Sequence, residues 1–506
     1  MGRKRCTPEQ STRPRAISGS RWLLASALLA VVLCGACAKQ ATQARNLILI
    51  SIDTLVPGRM SLYGGPRRTT PHIDLLASES VRFVNAFSTA PWTMPAHASM
   101  LTGLYPSTIY ARPGTGWSLQ RATALAERFR RAGYRTGAVT GGGFVSARSG
   151  AARGFESFEQ VPKAGRPARA VNKSIAWLET NHDEPFFYFL HTFIVHAPYL
   201  DRRYVEPGQG GRLKDLFKQD AALYSRLQMM CCQDMTVTHE ERRYMLALYD
   251  GGVAAADEMV GRLLAALERL QLMDDTAIII TSDHGQEFWQ HTDRGGHGHS
   301  LYDDQLRIPL LWYEPGLRAA GQSVSQHVSL IDIVPTIVER FGLKKDEAFD
   351  GVDLSPLLDG REWAVERHLY AEAVHHGPKR LSVRTPEAKL ILTPEPGVQL
   401  GIGGKHPVSV AAPRELFLSE DRAEARNIAG DPAYAQLFEE LGLQLEEDRA
   451  TALAGDPELS GSLTDAEILH GLRNLRAGTE REAASPDAPH LDEETKRQLR
   501  ELGYLE

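Results

Sequence analysis

A chain of 506 residues is longer than one minimal core requires and has room for two or three domains. With 42% apolar and 24% charged residues, it is neither a disordered chain nor a multi-span membrane protein. A formal net charge of −6, with no basic stripe in the body of the chain, sets nucleic acid aside as a partner.

In chain order, the first element is a leader. Arg3, Lys4, Arg5, Arg13, Arg15 and Arg21 precede an apolar run from Trp22 to Cys34, and Gly35-Ala36-Cys37 follows. This pattern predicts a secretory signal peptide over 1–37, a linker over 38–45, and export to a bacterial envelope or periplasm. Cys37 resembles the lipid-modified cysteine of bacterial lipoproteins, although Cys34 stands where that pattern usually has Leu. Membrane attachment through Cys37, plain cleavage and an uncleaved anchor all stay open. Cys231-Cys232 reads as two small apolar residues, so no disulfide framework is expected.

From Asn46 the pattern becomes α/β. Nearly continuous apolar runs at Leu47–Ile52, Arg135–Thr140, Phe186–Leu190, Ala277–Thr281 and Ile308–Trp312 predict strands covered on both faces. Helical patterns lie at Leu119–Arg131, with Ser118 as cap and Gly133 as stop, at Tyr244–Leu270, and at Pro335–Phe341 before Gly342. The expected fold is a large, mainly parallel sheet sandwiched by helices, over 46–345, with an insertion at 207–238. Short strands at Leu369–Ala373, Arg380–Arg384 and Lys389–Leu392 predict a smaller C-terminal α+β subdomain over 346–432. A charged helical tail follows over 433–506.

In an open parallel sheet, ligands bind beyond the carboxyl ends of the strands. Asp53 ends the first strand, Asp283 and His284 follow the Ala277–Thr281 run, and His191 and His196 follow Phe186–Leu190. Carboxylates and imidazoles from distant parts of the chain thus converge on one rim. Thr93 joins them: Pro95 suits a first helical turn and Gly103 a C-terminal cap, which puts Thr93 at a helix N-terminus, where free amides favour an anion. His291, His297 and His299 lie on or just before a glycine-rich loop near the same motif.

The blocks Ser51-Ile52-Asp53-Thr54, Thr70-Pro71-His72-Ile73-Asp74, Thr93–Gly103, His196-Ala197-Pro198-Tyr199, Ser282-Asp283-His284-Gly285 and Leu301-Tyr302-Asp303-Asp304 through Arg307-Ile308-Pro309 resemble, in order and spacing, the sulfatase branch of the alkaline-phosphatase superfamily. The match runs from about Asn46 to Leu358, with an echo at Glu415-Leu416-Phe417 and Arg426-Asn427. Sulfatases carry a Cys or Ser converted to formylglycine, followed by x-Pro-x-Arg. Here the segment reads Thr93-Met94-Pro95-Ala96-His97, and threonine cannot form formylglycine. Gly141-Gly142-Gly143 replaces the usual Lys-Trp-His block, and Asp53 lacks the usual acidic neighbour. The resemblance is therefore closer to Thr-using phosphodiesterases and phosphoglycerol transferases.

This resemblance implies one divalent metal on Asp53, Asp283, His284 and Thr93. The donor set suits zinc or manganese best, with calcium or magnesium as alternatives. A second zinc site would need an Asp-x-x-x-His, and the comparable helix offers only Asp250 and Asp257. Thr93, His196 and His299 are the expected catalytic residues, and His97, His191 and His297 the expected substrate contacts. The expected activity is hydrolysis or transfer of phosphate esters or phosphodiesters, on a lipid- or glycan-linked substrate, through a covalent Thr93 ester. The alternatives are a sulfuric ester hydrolase without formylglycine and a non-catalytic envelope binding protein of the same fold.

Overall fold

The computed structural model describes residues 44–110, 122–161, 167–214, 237–291, 295–345, 348–365, 367–372, 379–393 and 412–454, with isolated positions besides. The leader with Cys37, the Cys231-Cys232 pair, most of the 207–238 insertion and the tail beyond residue 454 lie outside the described residues.

The central sheet contains β1 (Asn46–Ile52), β2 (Ser80–Phe87), β3 (Arg135–Thr140), β4 (Ser157–Gln160), β5 (Phe186–Thr192), β6 (Thr276–Thr281), β7 (Arg307–Tyr313) and β8 (Ser323–Ser329). Their spatial order is β8-β2-β7-β6-β1-β5-β3-β4. All neighbours pair in parallel except at β7, which runs against both β2 and β6. The sheet is thus mixed through one reversed strand.

Among the helices that cover it are α1 (Pro71–Ala77), α2 (Thr93–Thr102), α3 (Leu125–Arg131), α4 (Pro167–Asn181), α5 (His239–Arg269) and α6 (Ile333–Arg340). The two-residue period of a strand divides β1 between two cores. Leu47 and Leu49 pack with α2, α3 and α6, while Ile48, Ile50 and Ile52 pack with α1, α4 and α5. Burial on both faces explains the unbroken apolar runs of the central strands.

Element starts differ from the sequence expectation where side chains cap the backbone. Residues 122–124 are not helical, and α3 begins at Leu125, six residues after Leu119. Glu127 accepts the Ala124 N–H at 2.9 Å and pairs with Arg153 at 2.9 Å, which fixes that start. Thr238 and Glu241 form a capping box, so α5 begins before Tyr244. Gly103 and Gly342 end α2 and α6 with φ of 78° and 60°, a conformation that costs a glycine little.

The C-terminal subdomain is a four-stranded antiparallel sheet of β9 (Leu369–Ala371), β10 (Leu381–Arg384), β11 (Ala388–Leu392) and β12 (Arg414–Leu418). Helix α7 (Ala435–Ala454) places Phe438, Leu441 and Leu445 against Val383, Leu390 and Leu416. Leu301, Leu306, Ile391 and Phe417 join this subdomain to the main body.

Candidate active site

The strand period decides which side chains reach the rim. Ser51 continues the face of Leu47 and Leu49, and His191, its register partner on β5, continues the face of Phe187 and Phe189. Both therefore turn toward α2. The His97 ring lies over this surface, 4.7 Å from the His191 centroid, and its Nε2 is 3.0 Å from Ser51 Oγ.

Asp53 follows directly on β1, and the chain then turns through Thr54 in the left-handed region, at φ 59°. For a β-branched residue that conformation costs about 1–3 kcal/mol. It is held in place from two sides: Tyr249 of α5 donates to Thr54 O at 2.6 Å, and the Thr54 N–H donates to Asp283 Oδ1 at 3.3 Å.

Four groups then meet. The Thr93 hydroxyl donates to Asp53 Oδ2 at 3.2 Å and lies 3.4 Å from His284 Nε2. His284 Nε2 is 3.3 Å from Asp283 Oδ2 and 4.0 Å from Asp53 Oδ1. One ligand atom from each of Asp53, Asp283 and His284 lies within 4.8 Å of the others, and all three residues are buried. Four donors on a tetrahedral ion with bonds near 2.0–2.1 Å would stand about 3.3 Å apart, close to these separations. Asp283 Oδ2 is buried and makes no hydrogen bond among the described residues. Bringing two carboxylates together with an unused lone pair is costly unless a cation sits between them. The residues fit a divalent metal.

Histidine tautomers follow from fixed neighbours. His284 Nδ1 donates to Gly285 O at 2.9 Å, which leaves the Nε2 lone pair facing Thr93 and the carboxylates. His196 Nδ1 donates to Ala197 O at 2.7 Å, and His297 Nδ1 to Gln286 Oε1 at 2.8 Å. The His297 ring is 4.5 Å from His284 and 5.0 Å from His196, so His196 and His297 form one wall beside the cluster. His191 accepts the Gly141 N–H on Nδ1 at 3.1 Å, and its Nε2 lies 3.5 Å from Asp53 Oδ2. Burial holds His191, His97 and His284 below the usual imidazole pKa. Burial pushes the Asp283 carboxyl up, but His284, His97 and His191 more than offset it and keep Asp283 ionised.

Two expected site residues are held by partners within the protein. His97 Nδ1 donates to Thr93 O at 2.9 Å and lies 3.3 Å from Asp283 Oδ2, so it braces the start of α2 against one of the clustered carboxylates. His299 Nε2 donates to buried Glu287 at 3.1 Å, and Gln305 donates to the same carboxylate oxygen at 2.9 Å. Burial pushes Glu287 up, but the His299 bond and charge, with Gln305, hold it down at about 2. Ser51, Glu287 and Gln305 were not expected from the sequence. The one signal was Glu287 itself, a charged residue four positions after Asp283.

Asp250 and Asp257 are structural. Asp250 binds Arg59, with Nε at 2.7 Å, and also Arg67. Asp257 accepts the N–H groups of His72 and Ile73, at 3.1 and 2.8 Å, at the start of α1. Gly141 has a packing reason as well: a Cβ there would stand 2.2 Å from the Phe193 ring.

A helix-borne hydroxyl facing two carboxylates and an imidazole at the rim of an α/β sheet defines an ester hydrolase of the alkaline-phosphatase type. The chain belongs to the sulfatase family, whose family model, described as Sulfatase, matches residues 45–343. It is 25% identical over 354 residues to an ulvan-active sulfatase of Formosa agariphila, covering 64% of this chain and 66% of that one. It thus spans about two thirds of that relative's length. It is 27% identical over 485 residues to the multifunctional alkaline phosphatase superfamily protein PehA of Trinickia caryophylli, covering 78% and 93%. The fold matches the phosphonate monoester hydrolase of Agrobacterium radiobacter with a TM-score of 0.65 at 22% identity, covering 81% of this chain and 96% of that one.

Proposed function

We propose that the protein hydrolyses or transfers phosphate esters, including phosphodiesters, through a covalent ester on Thr93. The observation that carries this reading is the placement of Thr93 Oγ1 between Asp53 Oδ2 at 3.2 Å and His284 Nε2 at 3.4 Å, at the N-terminus of α2. Asp53, Asp283, His284 and Thr93 would hold one divalent ion, zinc or manganese by the hardness and small number of the donors. A bound ion there supplies Lewis acidity to the hydroxyl and to the ester oxygen.

The protein's own groups do the rest. Thr93 gives up its proton toward Asp53 and forms a bond to phosphorus as the bond to the ester alcohol breaks. The alcohol leaves with a proton from Nε2 of His196 or His297 in its imidazolium form, since each Nδ1–H stays on its own oxygen acceptor. Water or an acceptor alcohol then releases Thr93, giving its proton to that imidazole while Asp53 returns the first proton to the Thr93 hydroxyl. His299, tied to Glu287 and Gln305, is assigned to supporting the loop that carries His297. His191 stays neutral and steadies Asp53.

Support for phosphate over sulfate comes from two features. Threonine cannot become formylglycine, and Gly141-Gly142-Gly143 offers no cation to clamp sulfate. PehA, of which this chain covers 93%, is by name a multifunctional protein of the alkaline phosphatase superfamily, which leaves room for phosphate esters. Glycan-linked substrates enter through the ulvan-active relative's name. Sulfuric ester hydrolysis by unmodified Thr93 is the second reading.

The test is turnover of matched phosphomonoester, phosphodiester and sulfate ester by protein made in a host without a formylglycine-generating enzyme. Phosphate esters turned over faster are expected, and a clear preference for the sulfate would overturn the reading. We also propose export to the bacterial envelope. Among the described residues no helix is long and apolar enough to cross a membrane. Intact-mass measurement of the envelope fraction should show loss of the leader, and an acyl mass on Cys37 would add the lipid anchor. An unprocessed cytosolic chain would sink the export proposal.

A further inference from the structure

A cavity of about 320 Å³ opens where the β2–β8 edge of the main sheet meets the C-terminal sheet. None of its lining residues belongs to the Thr93 cluster. Arg307 at the start of β7, Arg384 of β10 and Arg422 just beyond β12 all line it. Arg384 is committed: it pairs with Asp303 and lies over the Phe87 ring at 4.2 Å. Asp303 is itself occupied, since it also takes Lys389 at 2.9 Å.

Arg307 is not matched in this way. One of its terminal nitrogens donates to Val84 O at 2.7 Å, but its Nε is buried with no hydrogen-bond partner among the described residues. His327 Nδ1, in the same wall, is likewise buried without one. Burial first, then Arg422, lowers the Arg307 pKa, against the Asp303 carboxylate, which raises it. Glu420 also lines the cavity, and no ion pair joins it to Arg307 or Arg422 among the described residues. A buried guanidinium N–H with no acceptor is costly, and a charge-assisted bond to an oxyanion recovers that cost.

We propose that this cavity is a second anion site, which takes one small tetrahedral oxyanion, phosphate or sulfate, between Arg307 and Arg422, with His327 in its wall. The volume exceeds that of a bare ion, so the group can arrive free or carried on a sugar or another alcohol.

The test is equilibrium dialysis of radiolabelled inorganic phosphate against the full chain, stripped of metal by a chelator. Wild type, Arg307→Gln and Arg422→Ala are compared. Any binding at Thr93 is common to all three, so the difference reports this cavity alone. Each variant should bind one phosphate fewer than wild type, or bind that phosphate at least about tenfold more weakly. Arg422 is exposed, so Arg422→Ala keeps the test valid if Arg307→Gln does not fold. Glucose 6-phosphate that displaces the label assigns the site to sugar-borne groups, and lack of displacement assigns it to the free ion. Identical phosphate binding by wild type and Arg422→Ala would overturn the proposal, whatever the Thr93 chemistry proves to be.

Discussion

His97 Nδ1 lies 3.3 Å from Asp283 Oδ2 and donates to the Thr93 carbonyl at 2.9 Å, so one imidazole ties the start of α2 to the proposed metal set. Its Nε2 meets Ser51 Oγ at 3.0 Å, which fixes the ring from the other side. The position at which the resemblance has an arginine is thus filled by a histidine that bonds the Thr93 carbonyl and stands against Asp283.

From this arrangement, His97→Ala should weaken divalent metal affinity by roughly 10- to 100-fold without removing the site, as loss of a partner behind the ligands does elsewhere. Asp283→Ala should abolish binding. Elemental analysis and metal titration check both. Full metal retention in Asp283→Ala would remove this residue from the site.

Asp250 gives the opposite expectation. It is buried under Arg59 and Arg67, whose side chains are 16% and 31% exposed, so Asp250→Ala strands two arginines that water reaches only partly. A loss of about 2–3 kcal/mol in denaturant-measured stability is expected, with metal content unchanged. Loss of one of two bound ions would instead revive a two-metal site.

These two cases show how far the sequence could be read. β1, β5 and β6 were legible because burial on both faces leaves unbroken apolar runs, and their ends placed Asp53, His191 and Asp283 at the rim. β2 and β8 were not, since Ser80–Phe87 and Ser323–Ser329 sit toward one edge and mix buried with half-exposed or exposed positions. The reversal of β7 was hidden because an apolar run carries no direction. The roles of His297 and His299 were not separable either. The hairpin of Glu287–Phe288 with Gly295–Gly296 turns one toward His284 and the other toward Glu287, and loop spacing alone does not encode that choice.

His291 predicts a pH dependence of stability. Its Nδ1 lies 3.2 Å from Asp304 Oδ2, its Nε2 donates to Ala423 O at 2.6 Å, and its ring stacks on Tyr302. Burial lowers its pKa, but Asp304, Ala423 O and Glu287 outweigh that and raise it from 6.5 to about 9. A raised folded-state pKa stabilises fully below 6.5 and is lost as pH climbs through about 9. Thermal melts from pH 6 to pH 10 should show wild type falling relative to His291→Gln. Parallel curves would refute the contribution.

The most direct measurement is turnover of a matched phosphate and sulfate ester by wild type and Thr93→Ala, with mass spectrometry of rapidly quenched enzyme. The account predicts a phosphoryl adduct on Thr93 in wild type and a loss of about a thousandfold or more in Thr93→Ala, with Thr93→Ser retaining measurable activity. Undiminished turnover by Thr93→Ala would contradict it, because water would then attack the ester directly and no covalent route would pass through Thr93.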